Sequence, residues 1–190
     1  MFEHMNMDNA PVTTCWTTGH VGGAGMVRAT RSIGDLKGLF ADEAARAALP
    51  QDRLAYATEC VFPVADGTAG GLFWGTTFIE PIVVGEEYLM TKGHYHAKPD
   101  RTEFYFTFAG EGLLLFMDRD RRCRAERMVP GSVHPIPPFT AHRTINVGNT
   151  VLSFGACWPS DAGHDYAAIA RDGFSARVLR RSGVPVLVPA

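Results

Sequence analysis

The sequence predicts an all-β sandwich or barrel, and three observations carry that prediction. From Leu54 onward, about nine short segments rich in Val, Ile, Phe, Tyr and Thr succeed one another. Tight-turn chemistry separates them, as at Gly110-Glu111-Gly112 and Val147-Gly148-Asn149. Helical patterns do not alternate with the strand patterns, which argues against a βαβ fold with a parallel sheet.

Taken in order, residues 1 to about 30 carry little pattern, with frequent Thr and Asn and the run Gly22-Gly23-Ala24-Gly25. They read as an irregular arm, flexible or laid over a neighbouring subunit. Ser32-Ile33-Gly34-Asp35 has the form of a capping box with Asp replacing Glu, and Gly38 limits any helix there to a turn or two. Asp42 to Leu49 is a better helix: acids open it, alanines fill it and Pro50 stops it. Residues 1–53 are thus expected to form an N-terminal arm with short helices, and 54–190 the β domain. Strands are expected at 56–64, 71–80, 82–91, 103–108, 112–118, 123–129, 132–136, 142–147 and 151–158. After Pro159 a two-turn helix is expected from His164 to Arg171, ending at Gly173, and then strands at 174–179 and 184–188.

Composition narrows the class. With 190 residues and 46% hydrophobic content the chain suits one compact domain with appended segments, large enough for an apolar core without disulfides. A net charge of −2 gives no reason to expect nucleic acid or an anionic membrane as partner. Apolar runs such as Gly112 to Met117 are far too short to span a bilayer. Glu3, His4, Asn6, Asp8 and Asn9 leave no apolar stretch for a secretory signal. Cys15, Cys60, Cys123 and Cys157 are scattered, so free thiols are expected rather than a disulfide framework or zinc knuckle. These features point to a cytoplasmic protein.

The chemistry gathers in residues 93–110. His94 and His96 are two apart, so on extended backbone both imidazoles point to one side. Glu103 comes after Lys98-Pro99-Asp100, whose proline and aspartate favour a bend, so the next strand can bring its carboxylate to the same point. His142, reached through Pro137-Pro138-Phe139, is a fourth candidate. A single histidine of this kind is usually a hydrogen-bonded or surface imidazole; the combination points to metal. Three imidazoles and a carboxylate suit Fe(II), Mn, Ni, Zn or Co and do not choose among them. Around a metal that prefers six ligands they leave two adjacent positions, which is the arrangement of a catalytic site. His134 in a strand, and His4 and His20 in the arm, are assigned structural or surface roles.

Gly93 to Gly110 resembles the first cupin motif: His-x-His, then Glu, then Gly seven residues beyond the Glu. Gly131, Pro137, His142 and Asn146 resemble the second, at its spacing of six, five and four; Phe139 stands where glycine is usual. The gap of six residues between His96 and Glu103 is longer than most cupins have and marks one branch. Thr91 to Arg101, Pro137 to Asn146 and Pro159 to Tyr166 closely resemble the signatures of the cupin-type, archaeal-type glucose-6-phosphate isomerase family. Weaker echoes at Ile33 to Phe40 and Gly75-Thr76-Thr77 extend the likeness over most of residues 30–175.

The resemblance implies a cupin double-stranded β-helix, or jelly-roll barrel, that interconverts glucose 6-phosphate and fructose 6-phosphate. It implies one divalent metal ion per subunit, iron by preference, on His94, His96, Glu103 and His142. It also implies a homodimer. Aldose–ketose isomerisation moves a hydrogen between C1 and C2, and Glu103, the one carboxylate of the cluster, is the natural proton shuttle. A hydride shift is the competing mechanism. His164 and Tyr105 join Glu103 as candidate catalytic groups. Thr77, Thr91 and the Gly93 N–H resemble the family's phosphate contacts, with Lys92 or Lys98 as added cations. Tyr56, Tyr166 and Trp158 are expected to line the pocket; Trp158 stands where the family often has Tyr and offers an indole N–H instead of a phenol. The ligand set alone also permits another sugar-phosphate isomerase, such as one for mannose 6-phosphate, a metal-dependent cupin dioxygenase, or a sugar-binding cupin without activity.

Overall fold

The structure, a computed structural model, describes residues 10–190. It opens with β1 (Val12–Thr14), β2 (Val21–Gly23) and β3 (Val27–Ser32), then a 3-10 turn at Gly34–Leu36 and helix α1 (Glu43–Ala48). β4 (Leu54–Val61), β5 (Leu72–Ile79) and the short β6 (Val83–Val84) and β7 (Glu87–Tyr88) come after it. Next are β8 (Glu103–Ala109), β9 (Gly112–Met117), β10 (Cys123–Met128), β11 (Val133–Ile136), β12 (Ala141–Asn146) and β13 (Leu152–Pro159). Helix α2 (Ala167–Asp172) and the hairpin β14 (Ala176–Arg181) and β15 (Val184–Pro189) complete the chain.

A six-stranded sheet, β11-β8-β13-β5-β4-β3, faces a three-stranded sheet, β10-β9-β12, and every strand pair is antiparallel. Bridges from Met90 to Ile145 and from His94 to His142 lay residues 90–94 along the free edge of β12. A further sheet, β15-β14-β7-β6, continues from there. This is the jelly-roll barrel that the resemblance implies. Its core is built from inward residues of both layers: Leu114 and Phe116 on one side, Ile79, Leu152 and Phe154 on the other, each at most 2% exposed. Burial of such side chains contributes about 1.5–3 kcal/mol each and holds the layers together.

Several local readings match the structure closely. Asp42 caps α1 by accepting the Ala45 N–H at 2.8 Å. Ser32 and Asp35 bond reciprocally, and only a single 3-10 turn forms there. All four cysteines are free.

Three readings are corrected. Within residues 1–30, those from 10 onward form a hairpin, β1–β2, and an edge strand, β3, paired with β4. The strand expected at 82–91 is a small hairpin of two-residue strands, after which the backbone continues on single bridges. The helix expected from His164 begins at Ala167, because Asp165 is drawn into an extended pairing with Tyr95.

The register of the large sheet sets out the floor of a cavity. Thr58, Thr77 and Phe154 stand in one cross-strand row, and Cys60, Gly75, Ala156 and Tyr105 in the next. Both rows face the barrel interior. The second is made of small residues until it reaches Tyr105, which leaves room above it.

Candidate metal centre and adjoining cavity

His94 and His142 are direct register partners. Each backbone N–H donates to the other's carbonyl, at 3.2 and 3.1 Å, so both side chains leave the same face with ring centroids 4.5 Å apart. His96, two residues on, shares that side, its ring 5.4 Å from His142. Glu103 opens β8 in the opposite layer, and its Oε1 lies 2.7 Å from His142 Nε2 and 3.1 Å from His96 Nε2. One ligand atom from each of the four residues lies within 4.8 Å of all the others.

The donor set fits a divalent cation. His96 Nδ1 donates its proton to the Arg101 carbonyl at 2.9 Å, which leaves a lone pair on Nε2 facing a carboxylate oxygen. Two acceptors so placed need a proton or a cation between them. Buried His142 has no hydrogen-bond partner on either ring nitrogen, although Glu103 is so close. These atoms converge on a shared point instead of pairing with one another.

The electrostatics agree. Burial, reinforced by His142 and His164, pushes His94 well below its ordinary value, so it is neutral with a lone pair to offer. Burial would push the Glu103 carboxyl up, but the His142 and His96 imidazoles beside it outweigh that effect and hold it well below the usual carboxylate range. Against the opposing effect of burial, Glu103 raises His96, drawing a proton to the place a cation would fill.

Beside the cluster lies a cavity of about 320 Å³. Tyr56, Thr77, Thr91, Lys92, Gly93, Tyr105, Trp158, His164 and Tyr166 are among the residues that line it. Tyr105 is 9% exposed; burial and the Glu103 charge raise its phenol, which stays a neutral donor. Burial pushes the Tyr56 phenol up to about 12. His164 stands 4.4 Å from His94, stacked on Tyr166, and burial lowers it, so its imidazole is neutral. Trp158 packs edge-on against Phe73 at 5.8 Å.

The segment carrying His164 is zipped to the segment carrying His96. Tyr95 and Asp165 exchange both backbone hydrogen bonds, and the Lys98 N–H donates to the Ala162 carbonyl. Gly163 has φ +60°, and a Cβ there would sit 2.9 Å from the Ala97 methyl, so the close approach requires glycine. Asp161 clamps the pair of segments: it accepts two hydrogen bonds from Arg101, at 2.9 and 2.7 Å, and one from Lys98 at 2.8 Å. That corrects one expectation. Lys98 does not line the cavity, and its ammonium is committed to a structural carboxylate.

The remaining histidines sit as the sequence reading assigns them, where they can be described. His134 has both nitrogens partnered, by Glu126 and Ser132 at 2.8 Å each. His20 lies beside Glu59 and stacks on Phe78. His4 lies outside the described residues. Sequence reasoning missed Thr58, which presents a hydroxyl beside Thr77 on the cavity floor, and Cys60. Counting by twos from Tyr56 along β4 finds both.

A family model described as glucose-6-phosphate isomerase matches residues 30–186. Among curated proteins, the glucose-6-phosphate isomerase of Thermococcus litoralis is 39% identical over 160 residues, 84% of each chain. That of Pyrococcus furiosus is 38% identical over 159 residues, again 84% of each. Among solved structures, an oxalate decarboxylase of Bacillus subtilis superposes with a TM-score of 0.44 at 20% identity, covering 58% of this chain and 26% of the other.

Proposed function

The chain belongs to the glucose-6-phosphate isomerase family, and from that premise we propose that it interconverts glucose 6-phosphate and fructose 6-phosphate at the His94, His96, Glu103 and His142 centre. The observation that carries the reading is the convergence of four ligand atoms within 4.8 Å beside a cavity that offers hydroxyl and N–H donors. A divalent cation held there, iron by preference with Zn, Mn, Ni or Co as other fits, would supply Lewis-acid stabilisation of the oxygens on C1 and C2 as charge develops.

Everything else is done by the chain. Glu103, ionised and buried, takes the proton from one carbon and returns it to the other. Neutral His164 and the neutral Tyr105 phenol are placed to exchange protons with the substrate oxygens. Thr77, Thr91 and the Gly93 N–H bind the phosphate group, with Lys92 supplying positive charge. Tyr56 and Tyr166 enclose the sugar, and Trp158 offers its indole N–H at the rim. The cluster and cavity need no second chain to form; we propose a homodimer on the family likeness, in the cytoplasm. A phosphoglucose isomerase assay coupled to a dehydrogenase tests the reading: EDTA should abolish turnover, and added Fe(II), Mn or Zn should restore part of it. Turnover that survives full chelation would remove the metal from the account.

A further inference from the structure

The backbone at Lys92–Gly93 is a partition. On one side is the cavity beside the metal centre; on the other is a second cavity, of about 440 Å³, and Lys92 and Gly93 line both. Arg143, on β12 directly after His142, lines only the second. Its side chain is 5% exposed, an unusual depth for a guanidinium, and among the described residues no carboxylate contacts it. One nitrogen donates to the Lys92 carbonyl at 2.6 Å and another to Met90 Sδ at 3.1 Å, while the guanidinium lies over the Phe174 ring, 4.2 Å from its centroid.

The trans peptide bond turns this contact into a constraint on the other side of the partition. Across a trans amide the carbonyl and the following N–H point in opposite directions, and the chain has no cis peptide among its described residues. With the Lys92 carbonyl held toward Arg143, the Gly93 N–H faces the first cavity. Among the described residues that N–H has no hydrogen-bond partner, while the next one, of His94, is bonded to His142. The direction is locked from both sides. Gly93 has φ +73°, and a Cβ would come within 2.9 Å of Arg143 Cβ and 2.8 Å of the Phe174 ring. A positive donor on the carbonyl also polarises the amide and strengthens the N–H as a donor.

We propose that Arg143 is a positioning residue for the phosphate group: by holding the Lys92 carbonyl it fixes the peptide so that the Gly93 N–H donates to a phosphate oxygen. The proposal rests on the sugar-phosphate reading above. It explains why a buried charge sits one residue from a metal ligand yet points away from the metal.

Steady-state kinetics of Arg143→Met and Arg143→Lys test it. Arg143→Met should raise KM for fructose 6-phosphate about tenfold, the order expected for one charge-assisted hydrogen bond. It should leave kcat within about threefold and bound metal unchanged, and Arg143→Lys should recover part of the loss. KM within twofold of wild type, or a fall in kcat alone, would overturn it, since simple disturbance of His142 acts on the metal and on kcat. If Arg143→Met does not fold, the zinc-loaded wild type decides by NMR. The Gly93 amide proton should move downfield with sorbitol 6-phosphate and not with sorbitol; no movement with the phosphorylated ligand rejects the proposal. Failure of the isomerase reading looks different: the wild type then converts no fructose 6-phosphate, and the NMR titration still gives its own answer.

Discussion

Asn146 gives the sharpest stability prediction, because its side chain makes three hydrogen bonds while fully buried. Nδ2 donates to the Ile79 carbonyl at 2.8 Å and to the Thr150 carbonyl at 2.9 Å, and Oδ1 accepts the Gly148 N–H at 3.0 Å. The residue thereby ties the end of β12 to the end of β5 and closes the turn into β13. In Asn146→Ala all three bonds go. Thr150 is exposed and Gly148 partly so, so those groups can turn to water at about 1 kcal/mol each. Ile79 is 0% exposed, and water does not readily reach its carbonyl, which adds about 1–3 kcal/mol. The sum is about 3–5 kcal/mol, or roughly 10 °C in melting temperature for a chain of this size. Asn146 does not line the cavity, so kcat at 25 °C should stay within about twofold of wild type. Differential scanning calorimetry with a parallel rate assay reads both quantities. A melting temperature within 2 °C of wild type would refute the reasoning, as would lost activity at unchanged stability.

The clamp and the thiols supply further predictions. Lys98→Ala should leave KM for fructose 6-phosphate within about twofold, because that ammonium faces Asp161 and not the cavity; a tenfold rise would return it to the phosphate site. Hydrogen bonds from Arg101 and Lys98 hold the Asp161 carboxyl below its ordinary value. A depressed carboxyl stabilises the fold above its unfolded pKa, near 4, and loses that contribution as pH falls through its folded value. The melting-temperature gap between wild type and Asp161→Asn should therefore be widest above pH 4 and close on acidification; a gap that widens in acid contradicts the clamp. Side-chain and backbone hydrogen bonds from Thr17 and Thr18 lower the exposed Cys15 thiol to about 6, whereas burial raises Cys60 and Cys157. Iodoacetamide at pH 7 should label Cys15 first, with half-maximal rate near pH 6; a midpoint near pH 9 would show an ordinary thiol.

Legibility in the sequence depends on whether one face of an element is buried. β9, Gly-Leu-Leu-Leu-Phe-Met, lines the core, and its apolar texture announces it. β3, Val-Arg-Ala-Thr-Arg-Ser, is an edge strand almost wholly exposed, so it carries no alternation to read. Part of what anchors this region is polar: buried Glu59 accepts the Val21 N–H at 3.0 Å and pairs with Arg28 at 2.7 Å. No local pattern reveals so distant an ion pair. The metal cluster is legible because the His-x-His spacing and the proline-bounded His142 each have a simple geometric reading. Lys98 is misplaced for the opposite reason: proximity in sequence to His96 says nothing of Asp161, its partner across the loop. Thr58 escapes notice because a threonine in a strand has no signature until register sets it beside Thr77.

Glu103 is asked to serve both as ligand and as proton carrier. The most direct test measures metal content and fructose 6-phosphate turnover on the same samples of wild type and Glu103→Gln. The wild type should hold one divalent ion per subunit and turn over. Glu103→Gln, which keeps the shape and an oxygen ligand, should retain metal and lose about 10²–10⁴-fold in kcat. Near-normal turnover by metal-loaded Glu103→Gln would take the proton away from Glu103, and no turnover by metal-loaded wild type would contradict the function itself.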